Sequence, residues 1–230
     1  MTAPVVAVGG GGFLMEDTRG LQERYILSLL RQRQGPPRVL FLGTASGDGE
    51  RAQLRFMRLF TSLGCRADTL AFFPYDMKRD YAQAVRGADL VYVGGGNTVA
   101  MVAVWREFGF DAALREAWDG DTVLAGISAG ANCWFSHYVT DSVPGGGIRA
   151  GLGWIEATFC PHLDGEPWRQ PILASAPLRP AYGAPDGVMI RFEGGRCIEA
   201  VTSRPGLAAV EVSAAGELVP LPTRLLDDAE

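Results

Sequence analysis

Through the first two-thirds of the chain, short runs that are apolar throughout alternate with longer stretches where apolar residues recur every three or four positions. Pro4 to Val8, Arg38 to Leu42, Leu90 to Val93 and Thr122 to Ile127 are of the first kind and predict strands, and Ala67 to Phe73 is again strand-like. Thr18 to Gln32 sets Leu21, Tyr25, Ile26, Leu29 and Leu30 on one helical face, and Arg51 to Leu63 does the same with Phe56, Leu59, Phe60 and Leu63. Tyr81 to Arg86 reads as a short helix, and Thr98 to Trp118 as a helix broken near Gly109. Strands apolar on both faces, alternating with amphipathic helices, predict a three-layer α/β fold with a mostly parallel central sheet. Beyond about residue 137 the pattern changes. Val143 to Gly153 reads as a Gly/Pro loop. The runs Val188 to Phe192, Cys197 to Val201, Ala208 to Val212 and Leu218 to Leu221 predict hairpins closing one edge of the sheet. No linker, composition break or internal repeat interrupts the chain, so one domain over residues 1–230 is expected.

Composition narrows the partners. Hydrophobic residues make up 47% and charged residues 20%, which fits a packed core and excludes wholesale disorder. The 21 basic and 26 acidic residues give a net charge of -5, the wrong sign for a phosphate backbone, so no nucleic-acid partner is expected. The 4 cysteines are far apart and the 2 histidines have no metal-ligand spacing, so no metal or other cofactor is expected. No basic start precedes the short apolar run at the N-terminus, and no apolar stretch approaches the ~18–20 residues that span a bilayer. The expectation is a soluble cytoplasmic protein that does not bind membranes.

The glycine clusters fall at the carboxyl ends of predicted strands, where open α/β sheets bind ligands: Gly9–Gly12, Gly43, Gly94–Gly96 and Gly126–Gly130. The last is the most informative. A strand runs into Gly126-Ile-Ser-Ala-Gly130 and a helix is expected from Ala129, which is the strand–turn–helix context of a G-x-S-x-G nucleophile elbow. Ser128 is then the candidate nucleophile, and the Ala129 amide a candidate oxyanion donor. Val93-Gly-Gly-Gly-Asn-Thr98 ends the preceding strand and offers further glycine amides, with Asn97 either facing substrate or capping the next helix. A serine needs a base. His137 lies nine residues after Ser128. On a continued helix that is roughly half a turn round and about 13 Å away, so it reads as a helix-end or surface residue. His162, in Phe159-Cys-Pro-His-Leu-Asp164, ends a strand-like run and is the candidate base. Asp141, Asp164, Glu166 and Asp186 are candidates for the acid that orients it. Trp134, Phe135, Tyr138 and Trp154 lie near the presumed site and read as core, with shaping of a pocket as the alternative.

With these residues in place the chain resembles the peptidase E (aspartyl dipeptidase) family of serine peptidases, with cyanophycinase more distant. The resemblance rests on Val93-Gly-Gly-Gly-Asn-Thr98, Gly126-Ile-Ser-Ala-Gly-Ala-Asn132, Thr140-Asp141 and Pro161-His162, and covers about residues 38 to 192. It implies a flavodoxin-like fold of the class I glutamine amidotransferase type, with serine where amidotransferases carry cysteine. It implies Ser128 and His162 as nucleophile and base, Asp186 as the imidazole partner with Asp141 competing or supporting, and the Gly95 and Ala129 amides as the oxyanion hole. It points to Arg169 as a ligand for an aspartate side chain at the peptide's N-terminus, although the segment Asp164 to Arg169 is shorter than in peptidase E proper. The resemblance allows a homodimer. The expected activity is that of a serine exopeptidase on short peptides. An amidase or esterase, or a binding protein that has lost catalysis, is the alternative.

Overall fold

The runs that are apolar throughout become the middle of one sheet. In the computed structural model, which describes residues 3–15, 20–32, 34–73 and 80–227, the chain runs β1 (Val5–Val8), α1 (Gly12–Met15), α2 (Leu21–Ser28), β2 (Arg38–Leu42), α3 (Glu50–Ser62), β3 (Arg66–Leu70), α4 (Tyr81–Val85), β4 (Leu90–Val93), α5 (Thr98–Glu107), α6 (Phe110–Asp119) and β5 (Val123–Ile127). It continues α7 (Ala129–Asn132), β6 (Phe135–Thr140), β7 (Gly147–Ala150), β8 (Ile155–Cys160), α8 (Arg169–Ala174), β9 (Ala181–Gly183), β10 (Val188–Glu193), β11 (Arg196–Thr202), β12 (Val210–Val212), β13 (Leu218–Pro220) and β14 (Thr223–Leu225). The expected start of the first long helix at Thr18 lies outside the described residues.

Two sheets result. The first has eight strands in the order β14-β11-β10-β1-β5-β4-β2-β3, parallel from β1 through β3 and antiparallel only at β1/β10 and β10/β11. Its central strands β1, β4 and β5 are buried at every position, as a sheet covered on both faces requires. The edge strand β3 alternates exposed and half-buried. Phe41 and Tyr92 are paired across β2 and β4 and so share a face. Phe13 of α1 and Phe56 and Phe60 of α3 pack on that face, with ring centroids 4.3–6.5 Å apart.

The second sheet has six strands, β13-β12-β9-β8-β6-β7. This differs from the expectation of hairpins at one edge. The β10–β11 hairpin and β14 do extend the first sheet, but β9, β12 and β13 join β6, β7 and β8 in a layer of their own. Short apolar runs carry no record of which strand they pair with. Phe192 of β10 packs edge-on against Phe135 of β6 and Tyr182 of β9, which binds the two sheets together. The helix expected after Ser128 is one turn long. Residues 135–140 are rich in aromatic and β-branched side chains (Phe135, Tyr138, Val139, Thr140) and pair as a strand, so His137 lies mid-strand opposite Ala150. The 143–153 segment is likewise not loop throughout, since β7 runs within it. Among the described residues no helix is long and apolar enough to cross a membrane.

The register of α3 is testable by a pair of substitutions. Phe56→Ala empties a fully buried position and should cost about 3–5 kcal/mol in urea unfolding. Leu54→Ala, on the exposed side, should stay within about 0.5 kcal/mol.

Candidate active site

Strand register brings Ser128 to its neighbours. Val93 of β4 stands opposite Gly126 of β5, so two residues beyond the pairing Gly95 and Ser128 emerge side by side. A Cβ built on Gly95 would sit 3.4 Å from the Ser128 Cβ. Ser128 has φ 55 and ψ -111, a left-handed backbone that strains a residue with a side chain by about 1–3 kcal/mol. The surroundings hold it there. Its amide donates to Val8 O (3.0 Å), and its carbonyl accepts from the amides of Ala131 (3.0 Å) and Asn132 (2.9 Å). The flanking glycines are needed for close approach. A Cβ on Gly126 would lie 2.2 Å from Gly130 O, and one on Gly130 2.2 Å from Val93 O.

The second sheet supplies the partners in the same way. Cys160 of β8 is opposite Gly183 of β9 in parallel register. His162 and Asp186 follow those strand ends by two and three residues and meet, although 24 positions separate them. Asp186 Oδ1 is 2.6 Å from His162 Nδ1, and His162 Nε2 is 2.8 Å from Ser128 Oγ. The carboxylate can only accept, so Nδ1 carries the proton and Nε2 is left as acceptor for the Ser128 hydroxyl. The imidazole and carboxylate side chains are 16% and 20% exposed, enclosed yet open to a small substrate. His162 also has a positive φ, 53.

Two glycines of the Gly9–Gly12 cluster, to which the sequence reading assigned no individual role, support the site. Gly9 O accepts from the His162 amide (3.3 Å), and Gly10 O from the Gly187 amide (2.9 Å). A Cβ on Gly10 would fall 1.8 Å from Asp186 Oδ1 and 2.8 Å from His162 Nδ1. The glycine run at the end of β1 was the available signal, because consecutive glycines at a strand end mark close backbone approach. Asp164, a candidate orienting acid, instead accepts the Asp186 amide at Oδ1 (3.0 Å) and fixes the loop that presents the acid.

The remaining candidates are placed otherwise. Both ring nitrogens of His162 are engaged without Asp141, whose carboxylate lies 3.4 Å from Arg169 Nη2 and is 66% exposed. Arg169 is buried. Its Nε donates to Glu166 Oε2 (2.8 Å), its Nη1 to Val139 O (3.1 Å), and its guanidinium lies 4.5 Å from the Trp168 ring centroid. A guanidinium so occupied, with only 3% of its side chain exposed, is not presented to a ligand. Asn97 caps α5: Oδ1 accepts from the Ala100 amide (2.8 Å) and Nδ2 donates to Ser142 O (2.9 Å). Ala129 is the first residue of α7, where helix amides have no intrahelical partner. Trp134, Phe135 and Tyr138 are fully buried, and Trp154 stacks on Trp118 and Trp134. Burial pushes the Cys133 thiol well above its usual range, so it stays neutral.

Beneath the Gly9–Gly12 turn lies one buried carboxyl. Glu23 Oε1 accepts from the Phe13 amide (3.1 Å), while Oε2 has no hydrogen-bond partner among the described residues. Burial raises its pKa, with the Phe13 bond opposing.

Comparison with known proteins adds the following. The model of peptidase family S51 matches residues 5–200. The chain is 39% identical over 229 residues to the "Uncharacterized peptidase YgaJ" of Bacillus subtilis (strain 168), covering 96% of this chain and 98% of that protein. Two crystal structures share the fold. One is a "Putative Peptidase E Protein" from Listeria monocytogenes EGD-e, with TM-score 0.63 and 16% identity over 86% of this chain and 98% of that one. The other is a peptidase from an acI-B1 Actinobacterium, with TM-score 0.66 and 18% identity over 96% and 98%.

Two outcomes follow from the geometry. Gly10→Ala should push the Asp186 carboxylate off Nδ1, read as loss of the far-downfield His162 Nδ1 proton resonance; only one other histidine can contribute a signal. For Glu23, a pKa raised in the fold means its contribution is intact below about 4.5 and is lost as pH rises through the folded value. Glu23→Gln should therefore unfold at higher urea than wild type at pH 7–8, and the advantage should shrink to nothing near pH 4.

Proposed function

We infer the reaction from a premise and a distance: this chain belongs to peptidase family S51, a serine-type peptidase, and its Ser128 hydroxyl lies 2.8 Å from the His162 imidazole. The reading is an exopeptidase that hydrolyses short peptides through an acyl-enzyme. The single observation that carries the mechanism is the continuous line Ser128 Oγ, His162 Nε2, His162 Nδ1, Asp186 Oδ1. The solved relative described as a peptidase E protein supports a dipeptidase-like substrate.

Each step follows from what the groups can donate and accept. Ser128 Oγ attacks the carbonyl carbon of the scissile peptide bond, and its proton passes to His162 Nε2. The imidazolium that forms is stabilised by the Asp186 carboxylate at Nδ1, which also holds the ring in its reactive tautomer. The tetrahedral oxygen takes its negative charge toward the amides of Ala129 and Gly95, which flank the serine. Nε2 then returns the proton to the leaving amine, and the C–N bond breaks. Water enters, gives its proton to Nε2, and attacks the ester. Collapse releases the acid and restores the Ser128 hydroxyl. Ser128's own amide is held by Val8 O, which leaves the Ala129 and Gly95 amides as the donors next to the nucleophile. An aspartyl preference resting on Arg169 has little support, because that guanidinium is engaged with Glu166, Val139 and Asp141.

A panel of dipeptides assayed by release of free amino acid tests the reading. Ser128→Ala should lower kcat by at least about 10⁴-fold with the fold intact, and Asp186→Asn by about 10⁴-fold through the wrong imidazole tautomer. Hydrolysis retained in Ser128→Ala would refute the assignment.

A further inference from the structure

We propose that the cavity between residues 141–146 and Trp168 receives the side chain of the peptide residue whose carbonyl Ser128 attacks, and that it selects a long basic side chain over an acidic one. The proposal rests on the hydrolase reading above and names its substrate class. The cavity is a depression largely open to solvent, with room for about 580 Å³, more than a lysine or arginine side chain needs.

Both walls of the cavity grow out of the reaction centre. One is the 141–146 loop. Ser142 O accepts from Asn97 Nδ2 (2.9 Å), and Ser142 Oγ accepts from the Thr98 amide (3.0 Å). Asn97 and Thr98 follow directly on the Gly95–Gly96 turn beside Ser128. The other wall is Trp168, six residues after His162, in a turn closed by the Glu166 amide donating to His162 O (3.1 Å). Through these two links the cavity borders the segments that follow Gly95 and His162, and the proposal sets the side chain of a peptide held at Ser128 into it.

The charge around the cavity decides what enters. Arg169 would be the natural partner for an acidic side chain, but only 3% of its side chain is exposed and its tight bonds go to Glu166 and Val139. The group that faces the cavity is Asp141, held to Arg169 only at 3.4 Å and 66% exposed. Two carboxylates around one guanidinium leave one negative charge in excess, on the cavity side. A substrate carboxylate meets like charge there, and a substrate ammonium or guanidinium meets its complement. Val143, Pro144 and the exposed part of the Trp168 ring offer apolar surface for the methylene stem of such a side chain, with its charged head toward Asp141.

The test is kcat/KM for three dipeptides differing only in the first residue, lysine, leucine or aspartate, in wild type, Asp141→Asn and Ser128→Ala. Wild type should prefer lysine over aspartate by about 10-fold or more. That ratio should fall toward unity with rising salt, and Asp141→Asn should narrow it to about threefold, through KM. Aspartate turned over as well as lysine in wild type, or a lysine-to-aspartate ratio unmoved by Asp141→Asn and by salt, would overturn the proposal. Ser128-dependent hydrolysis with a flat or acidic preference overturns the selectivity alone. Failure to hydrolyse any of the three overturns the hydrolase reading and the proposal with it.

Discussion

The contact on which the rest of the molecule depends is the backbone seam at Gly9 and Gly10. Ser128 belongs to the eight-stranded sheet, whereas His162 and Asp186 end strands of the six-stranded one. At this seam they are joined backbone to backbone, by the His162 amide on Gly9 O, beside the continuation of the β1–β10 ladder. Gly9 O takes the His162 amide, the Gly9 amide bonds Val188 O, and Gly10 O takes the Gly187 amide. Neither glycine has room for a side chain: a Cβ at Gly9 would lie 2.3 Å from Pro185 O. The seam is therefore backbone against backbone, which is as stiff an arrangement as a chain can make. That stiffness keeps a hydroxyl, an imidazole and a carboxylate in line without any of them being covalently constrained.

Parallel register does the rest of the positioning. In two places a pair of parallel neighbours ends together and sets one residue from each side by side, the Gly95 backbone with Ser128 and His162 with Asp186. The same device accounts for what was legible in the sequence. A buried strand running through G-I-S-A-G needs only local information, since the glycine spacing and the apolar run both lie within a dozen residues. Ser128 stood out for that reason. His162 stood out because it ends a strand-like run and only one other histidine competes, and the structure brings the two within 2.8 Å. Asp186 and Asp141 did not separate on spacing. Choosing between them requires knowing that β8 pairs with β9, and strand partners leave no trace in a local pattern of apolar residues.

The same limit explains the fold-level differences. The first two-thirds of the chain alternates one period with another over long stretches, so its elements fall close to their expected bounds, including the break at Gly109. The last third is built from strands of three to seven residues. Runs so short fit either sheet, and the second sheet was invisible until its partners were seen together. Arg169 illustrates the limit at one residue. Its identity suggested a ligand for a carboxylate, which is what guanidinium groups do well. The carboxylates it found were its own, at Glu166 and Asp141.

The most direct test of the central claim is modification of Ser128 by a fluorophosphonate, followed by mass spectrometry of the labelled peptide and a parallel peptide-hydrolysis assay. If Ser128 is the nucleophile that His162 activates, label accumulates on that residue, activity falls in proportion, and the His162→Ala variant labels far more slowly. Peptide hydrolysis that persists after Ser128 is fully labelled, or labelling at an unchanged rate in His162→Ala, would contradict it.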